Sequence, residues 1–204
     1  APFADAENIM FSSILAGGNI VFATRTTIYV STDKLKTYRE LTVKGRDGRA
    51  RLPHAARDPN KPGSYFYSID AVHTFKTDAG EMLIWGNYCN VRHGPVPVNI
   101  YYSVDQGETV KIAYSFGRNP RYQEKGTEPA DFLGDSANPV ICRHVHSVCY
   151  NPAEKAFYAC TGDLDHGLGY GKECHWLRGT YDAAADSWEW KVLVSADANS
   201  RFKS

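Results

Sequence analysis

Residues 102–110 decide the fold, and they read Tyr102-Ser103-Val104-Asp105-Gln106-Gly107-Glu108-Thr109-Val110. The pattern Ser-x-Asp-x-Gly-x-Thr predicts a tight turn, because a carboxylate can accept hydrogen bonds from turn amides and glycine adopts positive φ without steric cost. Strand-like residues stand on both sides of the pattern, with Asn99–Tyr102 before it and Val110–Tyr114 after it. The stretch therefore predicts a β-hairpin.

The same pattern occurs twice more in the chain. Residues 30–38 match it with Leu35 in place of glycine, and Gly179-Thr180-Tyr181-Asp182 followed by Ser187-Trp188 is a looser copy with a longer turn. The aspartates of the three copies are 72 and 77 residues apart. This pattern resembles the Asp-box, a hairpin turn that recurs in sialidase-like β-propellers.

A second repeat has almost the same period. Val72-His73-Thr74-Phe75 leads through a turn to Met82–Asn87, and Val145-His146-Ser147-Val148 leads through Asn151-Pro152 to Phe157–Asp163. His73 and His146 are 73 residues apart and are expected at equivalent places on the first strand of each unit. Two motifs that share one period indicate one structural unit per period.

The predicted fold class is therefore all-β: about three four-stranded antiparallel units, or propeller blades, at roughly 11–43, 66–115 and 143–194. Residues 44–65 and 116–141 are expected to be long loops. Residues 1–204 are interpreted as a single, incomplete propeller domain. Because closed propellers have at least four blades, we expect the remaining blades to come from a longer chain or from another subunit.

The bulk composition excludes several partners. Lys and Arg together number 23, as do Asp and Glu, so no global field attracts the chain to nucleic acid. No apolar run is long enough to span a membrane. The sequence begins at Ala1, as a processed secretory protein does, although a trimmed recombinant chain begins the same way. The predicted location is secreted or periplasmic.

Cysteine and histidine cluster in one part of the sequence. The five cysteines are an odd number, which excludes a complete disulfide framework within one chain, and four of them lie in residues 142–174. Strand alternation would place Cys142, His144 and His146 on one face, with Arg143 on the other. Cys160, Cys174 and His175 are the candidate further ligands. We predict a structural zinc ion held by His144, His146, Cys160 and Cys174. The alternatives are buried thiols with hydrogen-bonded histidines, or one local disulfide.

Residues 143–163 resemble a known protein family more closely than the rest of the chain does. Arg143-His144-Val145-His146, then Tyr150-Asn151-Pro152 and Thr161-Gly162-Asp163, are similar to a stretch of Asp-box propellers related to ulvan lyases. The resemblance extends in outline over 66–194. It implies β-elimination on a uronic-acid-containing, possibly sulfated, polysaccharide. It also implies four catalytic residues: His73, His93, Tyr122 and Arg143.

Their roles follow from the chemistry of the reaction. Arg143 would neutralise the uronate carboxylate and so stabilise the carbanion that forms at C5. His73 or His93, which have the family's spacing of about twenty residues, would take the C5 proton, because an imidazole titrates near working pH. Tyr122 would give a proton to the leaving oxygen. Zinc has no part in these steps.

Two other functions fit the same fold. A sialidase-like hydrolase needs three arginines and a tyrosine nucleophile backed by a glutamate, and Gly117-Arg118-Asn119-Pro120 only partly matches its Arg-x-Pro strand. A non-catalytic propeller would bind carbohydrate through its aromatic residues, and its histidines would only pack between blades. The expected partner of the chain is an acidic polysaccharide.

Overall fold

The structure is a computed structural model that describes residues 9, 11–24, 28–44, 50–51, 73–87, 98–118, 134–162 and 172–196. Every element of regular secondary structure in these ranges is a β-strand. The strands are β1 (Phe11–Ile14), β2 (Ile20–Ala23), β3 (Ile28–Ser31), β4 (Arg39–Glu40), β5 (Val43–Lys44), β6 (Ala50–Arg51), β7 (His73–Thr77), β8 (Gly80–Gly86), β9 (Asn99–Ser103), β10 (Lys111–Ser115), β11 (His144–Asn151), β12 (Ala156–Gly162), β13 (Cys174–Asp182) and β14 (Ser187–Ala196). No helix in the described part of the chain could cross a membrane.

The strands form three four-stranded antiparallel sheets, which confirms the prediction of three such units. The first sheet has the order β1-β2-β3-β4, the second β10-β9-β8-β7 and the third β11-β12-β13-β14. A further ribbon, β5-β6, lies partly in the stretch 44–65, for which the sequence predicted only a loop. The first sheet is the smallest, because its fourth strand has two residues.

The turns after β3 and β9 contain the same set of hydrogen bonds. In the second sheet, Asp105 accepts from the amide and hydroxyl of Thr109, while Ser103 donates to Asp105 and accepts from the amide of Gly107. In the first sheet, the corresponding residues Ser31, Asp33, Leu35 and Thr37 form the same four bonds. The sequence repeat is therefore also a structural repeat.

The glycine position of these turns has positive φ in both copies. Gly107 has φ +77°, and Leu35, which replaces glycine, has φ +66°. A left-handed backbone costs an L-residue about 1–2 kcal/mol, so the turn bonds hold Leu35 in an unfavourable conformation. Tyr38, which follows Thr37 at the end of the first copy, packs edge-on against Phe22 and Tyr29.

The third hairpin uses different contacts. Asp182 accepts hydrogen bonds from the amides of Ala184 and Ala185, so it caps its turn as predicted. Asp186, on the far side of that turn, accepts from the hydroxyls of Tyr102 and Tyr181 and pairs with Lys111. The third turn therefore bonds to the second sheet through the carboxylate of Asp186, whereas the carboxylates of Asp33 and Asp105 bond within their own turns.

The three sheets stack face to face around one apolar core. Tyr102 packs its ring against Tyr181 and Trp188, and Phe75 packs against Tyr150 and Phe157, so one face of the second sheet meets the third sheet. Side chains alternate along a strand, so the other face of the second sheet carries a different set of buried residues. These are Leu83, Trp85 and Tyr101.

The turns of the first and second sheets are joined by polar contacts. Glu81 accepts from the amide of Ala16 and the side-chain amide of Gln106, at 2.7 and 2.9 Å. Gln106 in turn accepts from the amide of Gly17 at 2.8 Å. Gly107 beside it leaves no space for a side chain, since an added Cβ would lie 2.9 Å from Cγ2 of Val21. These contacts fix the first sheet on the second at the turn end of the stack.

Candidate functional site

The candidate site lies at the end of the sheets opposite these turns. The second and third sheets close their hairpins at one end, so the other strand termini all lie at the opposite end. This end contains the last residues of β8, β10 and β12 and the first residues of β9, β11 and β13. Arg143 and His144 are therefore placed beside Asn87 and Asn99, which come from the neighbouring sheet.

A close approach of β8 and β11 brings the two sheets together here. The amide of Val145 donates to the backbone oxygen of Asn87 at 2.8 Å. Gly86 has no side chain at this contact, and an added Cβ would lie only 2.3 Å from Cβ of Val145. Asn87 also accepts from the amide of Asn99 through Oδ1 at 2.9 Å. The strand ends are thus held in one fixed arrangement.

Arg143 is buried, with 7% of its surface exposed, immediately before β11. The segment 134–143 that leads to it is fastened to the end of β10. Gly117 donates its amide to the oxygen of Val140 at 2.7 Å, and Asn138 donates its side-chain amide to the oxygen of Ser115 at 2.9 Å. A guanidinium that is always charged is therefore fixed within the protein, at the end where the strand termini meet.

His175 holds the same segment from the third sheet. Its Nε2 lies 2.8 Å from the backbone oxygen of Ile141, and its Nδ1 lies 2.8 Å from Oγ of Ser195. A carbonyl only accepts, so Nε2 must carry the hydrogen. Burial lowers the pKa of His175 below its usual value. Both ring nitrogens of His175 therefore have hydrogen-bond partners in this arrangement, and its suggested role as a metal ligand stays a prediction.

His144 and His146 meet side by side. Their Nε2 atoms lie 3.0 Å apart, close enough for one neutral ring to donate to the other. The pairing of β11 with β12 shifts register between Val145 and Ser147, on the two sides of His146. The pairing of these strands also corrects the predicted equivalence of the histidines. Counted from the hairpin turns, His73 corresponds to Ser147 and not to His146.

The predicted zinc ligands are only partly brought together. Two nitrogens bound to one tetrahedral zinc ion stand about 3.3 Å apart, which the His144 and His146 nitrogens nearly match. Cys160 contacts the hydroxyl of Ser147 at 3.1 Å, and Cys174 is buried with a free thiol. Within the described ranges, no group of three or more His, Cys, Asp or Glu side chains is arranged to hold a metal. The zinc site stays a prediction.

The described cysteines exclude the alternative of a local disulfide among them. Cys142, Cys149, Cys160 and Cys174 form no disulfide bonds with one another. Cys149 and Cys160 lie on the same face of the third sheet, and the pKa of Cys149 is raised, by burial and by the nearby Cys160. The Cys149 thiol is therefore a poor nucleophile at neutral pH.

The other predicted catalytic residues are less fully described. His73 is the first residue of β7 and pairs with Ile84, which places its backbone at the same end of the second sheet as Asn87. The structure describes the backbone of His73 but not its side chain. His93 and Tyr122 lie outside the described residues. Their roles stay predictions.

A separate cavity opens at the turn end, between the second and third sheets. Its volume is about 190 Å³, and its walls include Thr77, Tyr150, Phe157 and Tyr181. Lys155 pairs with Asp78 across its rim, and both side chains are largely exposed. None of the predicted site residues lines this cavity. It is therefore distinct from the candidate site around Arg143.

Comparison with known proteins gives little additional information. No family model matches the sequence, and no curated protein matches it. Among solved structures, a mutant of the NanB sialidase from Streptococcus pneumoniae aligns with a TM-score of 0.37 and 16% identity. The alignment covers 88% of this chain and 22% of the sialidase chain. A likeness at this level carries no argument about the fold or the activity of this chain.

Proposed function

We propose that this chain is part of a β-propeller that cleaves a uronic-acid-containing polysaccharide by β-elimination. The observation that carries the proposal is the buried Arg143, fixed at the end where the strand termini of the second and third sheets meet. A buried cation at such a place suits a carboxylate ligand, because charge pairing is stronger away from water. The uronate carboxylate is the group that this cation would meet.

The proposed architecture rests on the stacking of the three sheets. Each presents one face to the next, and two of them share the same turn bonds. Stacked four-stranded sheets of this kind are the blades of propellers. We propose that the remaining blades come from a longer chain or another subunit. A polymeric substrate outside the cell would require a secreted or periplasmic location.

The proposed reaction divides one elimination among four residues. Arg143 pairs with the carboxylate and stabilises the negative charge that develops as the C5 proton leaves. His73 or His93 accepts that proton, and the electron pair of the C–H bond forms a double bond between C4 and C5. The C4–O4 bond breaks, and Tyr122 gives its proton to the leaving oxygen.

A zinc ion held by His144, His146, Cys160 and Cys174 would be structural in this proposal. Its support is the pair of imidazole nitrogens 3.0 Å apart, beside Arg143 in the chain. Such an ion would fix the start of β11 and so the position of Arg143. Elemental analysis of the purified protein tests this: one zinc per chain is expected, and metal-free protein with an unchanged melting temperature on adding zinc would contradict it.

The test of the activity is incubation with uronic-acid polysaccharides, followed by ultraviolet absorbance of the unsaturated ends. His73→Ala or His93→Ala should abolish product, and Arg143→Ala should lower kcat by roughly 10²–10³-fold, the loss typical for one charge-stabilising group. Arg178→Ala is the matched control, because Arg178 pairs with Glu154 on the outer face of the third sheet. It should retain full activity.

Three results would contradict the proposal. If Arg143→Ala remains fully active, the carboxylate is neutralised elsewhere. If no uronate polymer yields unsaturated ends but the protein binds one, the chain is a non-catalytic binding propeller. If a sialoside is hydrolysed instead, the chain is a sialidase-like enzyme.

A further inference from the structure

At the turn end, the junction between the first and second sheets is closed by two polar side chains. Glu81 of β8 accepts from the amide of Ala16, and Gln106 of the turn after β9 accepts from the amide of Gly17. Gln106 also donates to Glu81, so the two side chains hold each other in place. Hydrogen bonds between these side chains and the β1–β2 turn therefore close the first junction.

The junction between the second and third sheets has apolar residues in the corresponding region. Counted from the hairpin turns, Phe157 takes the place of Glu81. The turn after β13 contributes Ala183. Neither side chain has a polar group that could bond to the β7–β8 turn, and a cavity of about 190 Å³ lies between the sheets. We name it the turn cavity; its walls include Thr77, Tyr150, Phe157 and Tyr181.

The walls of the turn cavity are largely aromatic. The rings of Tyr150 and Phe157 pack with their centroids 4.7 Å apart, and Tyr181 packs against Trp188 at 5.0 Å. The hydroxyl of Tyr181 donates to Asp186, so this ring is fixed both by packing and by a hydrogen bond. Ligand pockets in proteins are typically lined by aromatic and apolar side chains, with a few polar groups that orient the ligand. The turn cavity therefore offers preformed aromatic surfaces.

The rim of the turn cavity carries one charge of each sign. Lys155 of the β11–β12 turn pairs with Asp78 of the β7–β8 turn, and both side chains are largely exposed. The pKa of Lys155 is raised, chiefly by this bond to Asp78 and also by the nearby Tyr150. The rim thus places hydrogen-bond donors and an acceptor beside the aromatic walls, without a net charge.

These features match the chemistry of a single neutral sugar ring. A pyranose ring has a face of C–H groups, which packs on the negative face of an aromatic ring, and hydroxyls that both donate and accept. Sites for drug-sized ligands have volumes of about 300–1,000 Å³, so a cavity of about 190 Å³ suits a molecule of the size of one ring. Because Lys155 and Asp78 offset each other, the rim gives no net attraction to an ion of either sign.

We propose that the turn cavity binds one neutral hexopyranose unit, with the sugar ring against Tyr150 and Tyr181 and its hydroxyls bonded to Asp78 and Lys155. This site lies at the end of the sheets opposite Arg143, and it does not depend on the reaction proposed there. It would attach the protein to a glycan while leaving the site around Arg143 open.

Titration of the protein with three methyl hexosides, followed by saturation-transfer NMR, tests the proposal. The probes are methyl β-glucoside, methyl β-galactoside and methyl α-mannoside. At the ligand efficiency usual for small molecules, a ligand of this size should bind with a Kd on the order of 1 mM. At least one of the three should bind in this range. If none binds at a concentration tenfold higher, the proposal is overturned.

Ala183→Gln tests whether the sugar binds in the turn cavity. The longer side chain should occupy the cavity as Gln106 occupies the first junction, and should weaken binding at least tenfold. Ala185→Gln is the matched control, because Ala185 is exposed in the same turn but does not line the cavity. It should bind as the wild type does, and both variants should keep the wild-type circular dichroism. Unchanged affinity in Ala183→Gln, or an equal loss in both variants, would place the sugar elsewhere.

The uronate counterpart of the best-binding hexoside, which carries a carboxylate at C6, tests the preference for a neutral sugar. It should bind the wild type at least about threefold more weakly, because the uncharged rim does not offset the cost of dehydrating a carboxylate. Asp78→Ala leaves Lys155 without its partner and should reverse the preference. Glu154→Ala, which breaks the exposed pair with Arg178 outside the cavity, should not. A wild type that prefers the uronate, or an Asp78→Ala variant without reversal, would overturn the proposed recognition.

The assay for unsaturated sugar ends is separate from these binding measurements. A protein that binds a neutral hexoside in the turn cavity but cleaves no uronate polymer would overturn the proposed reaction alone. A protein that cleaves such a polymer but binds none of the three hexosides would overturn the turn-cavity site alone.

Discussion

Gly86→Ala is the substitution whose effect the structure defines most sharply. The added methyl would lie 2.3 Å from Cβ and 2.4 Å from Cγ1 of Val145 on the neighbouring sheet. Ordinary carbon contacts are about 3.5–4.0 Å, so β8 and β11 would have to separate by roughly 1.2 Å or more. Rotation of the valine side chain cannot relieve the contact, because its Cβ is attached directly to the backbone.

Two effects of Gly86→Ala lower the free energy of unfolding, and one effect raises it. Overpacking in a well-filled core costs about 1–3 kcal/mol. The separation would also stretch the 2.8 Å hydrogen bond between the Val145 amide and the Asn87 oxygen, a net loss of about 1 kcal/mol. Alanine gains about 0.5–1 kcal/mol over glycine in a strand. We expect Gly86→Ala to lower the free energy of unfolding by roughly 2–3 kcal/mol, measured by urea denaturation with tryptophan fluorescence.

A double-mutant cycle separates this contact from a general effect of the substitution. Val145→Gly removes the clashing Cβ, so it should recover at least about 1 kcal/mol of coupling free energy with Gly86→Ala. Val145→Ala keeps that Cβ and should recover almost none. If Gly86→Ala is within about 0.5 kcal/mol of the wild type, the range of ordinary surface changes, β8 and β11 do not approach as closely as described.

Two further predictions concern the turn end of the stack. Gly107→Ala should lower the free energy of unfolding by roughly 2–4 kcal/mol, because its Cβ would lie 2.9 Å from Val21 and alanine would also have to adopt positive φ. Gly18→Ala, where φ is positive but the space is open, should lower it by only about 1–2 kcal/mol. Equal losses in urea denaturation would contradict this prediction. The bond from Lys111, followed by those from Tyr181 and Tyr102, lowers the pKa of Asp186 from 3.8 to about 2. Asp186 therefore contributes to stability above about pH 4, and this contribution is lost as the pH falls towards 2. The difference in unfolding free energy between the wild type and Asp186→Asn should shrink over that range. A difference that stays constant with pH would argue against this prediction.

The hairpins could be predicted from the sequence because their turn chemistry is local. Ser103, Asp105 and Thr109 are within seven residues of one another, and their side chains bond to that same segment. The three-sheet organisation followed from the repeat of this unit. The turn after β13 was only partly predictable, because Asp186 bonds to Tyr102 and Lys111, which are about 80 residues away.

The candidate site depends on features that a sequence pattern does not contain. The strand pairing counted from the hairpin turns matches His73 with Ser147, and not with His146 as the sequence repeat indicates. The approach of Gly86 to Val145 and the two bonds of His175 arise only when distant segments pack. Only the tertiary structure shows that Arg143 is buried and that His175 supports the segment before it.

The division of the stack into a turn end and a site end has a consequence for how such a protein can diverge. At the turn end, an inserted residue would disrupt bonds that join adjacent sheets, such as those of Gln106 and Glu81. At the opposite end, the strand termini are joined by longer connections, and doubling the length of a flexible connection costs only about 0.6 kcal/mol. Changes in the length and sequence of the connections should therefore be tolerated more readily at that end than in the hairpins at the turn end, which specify the fold.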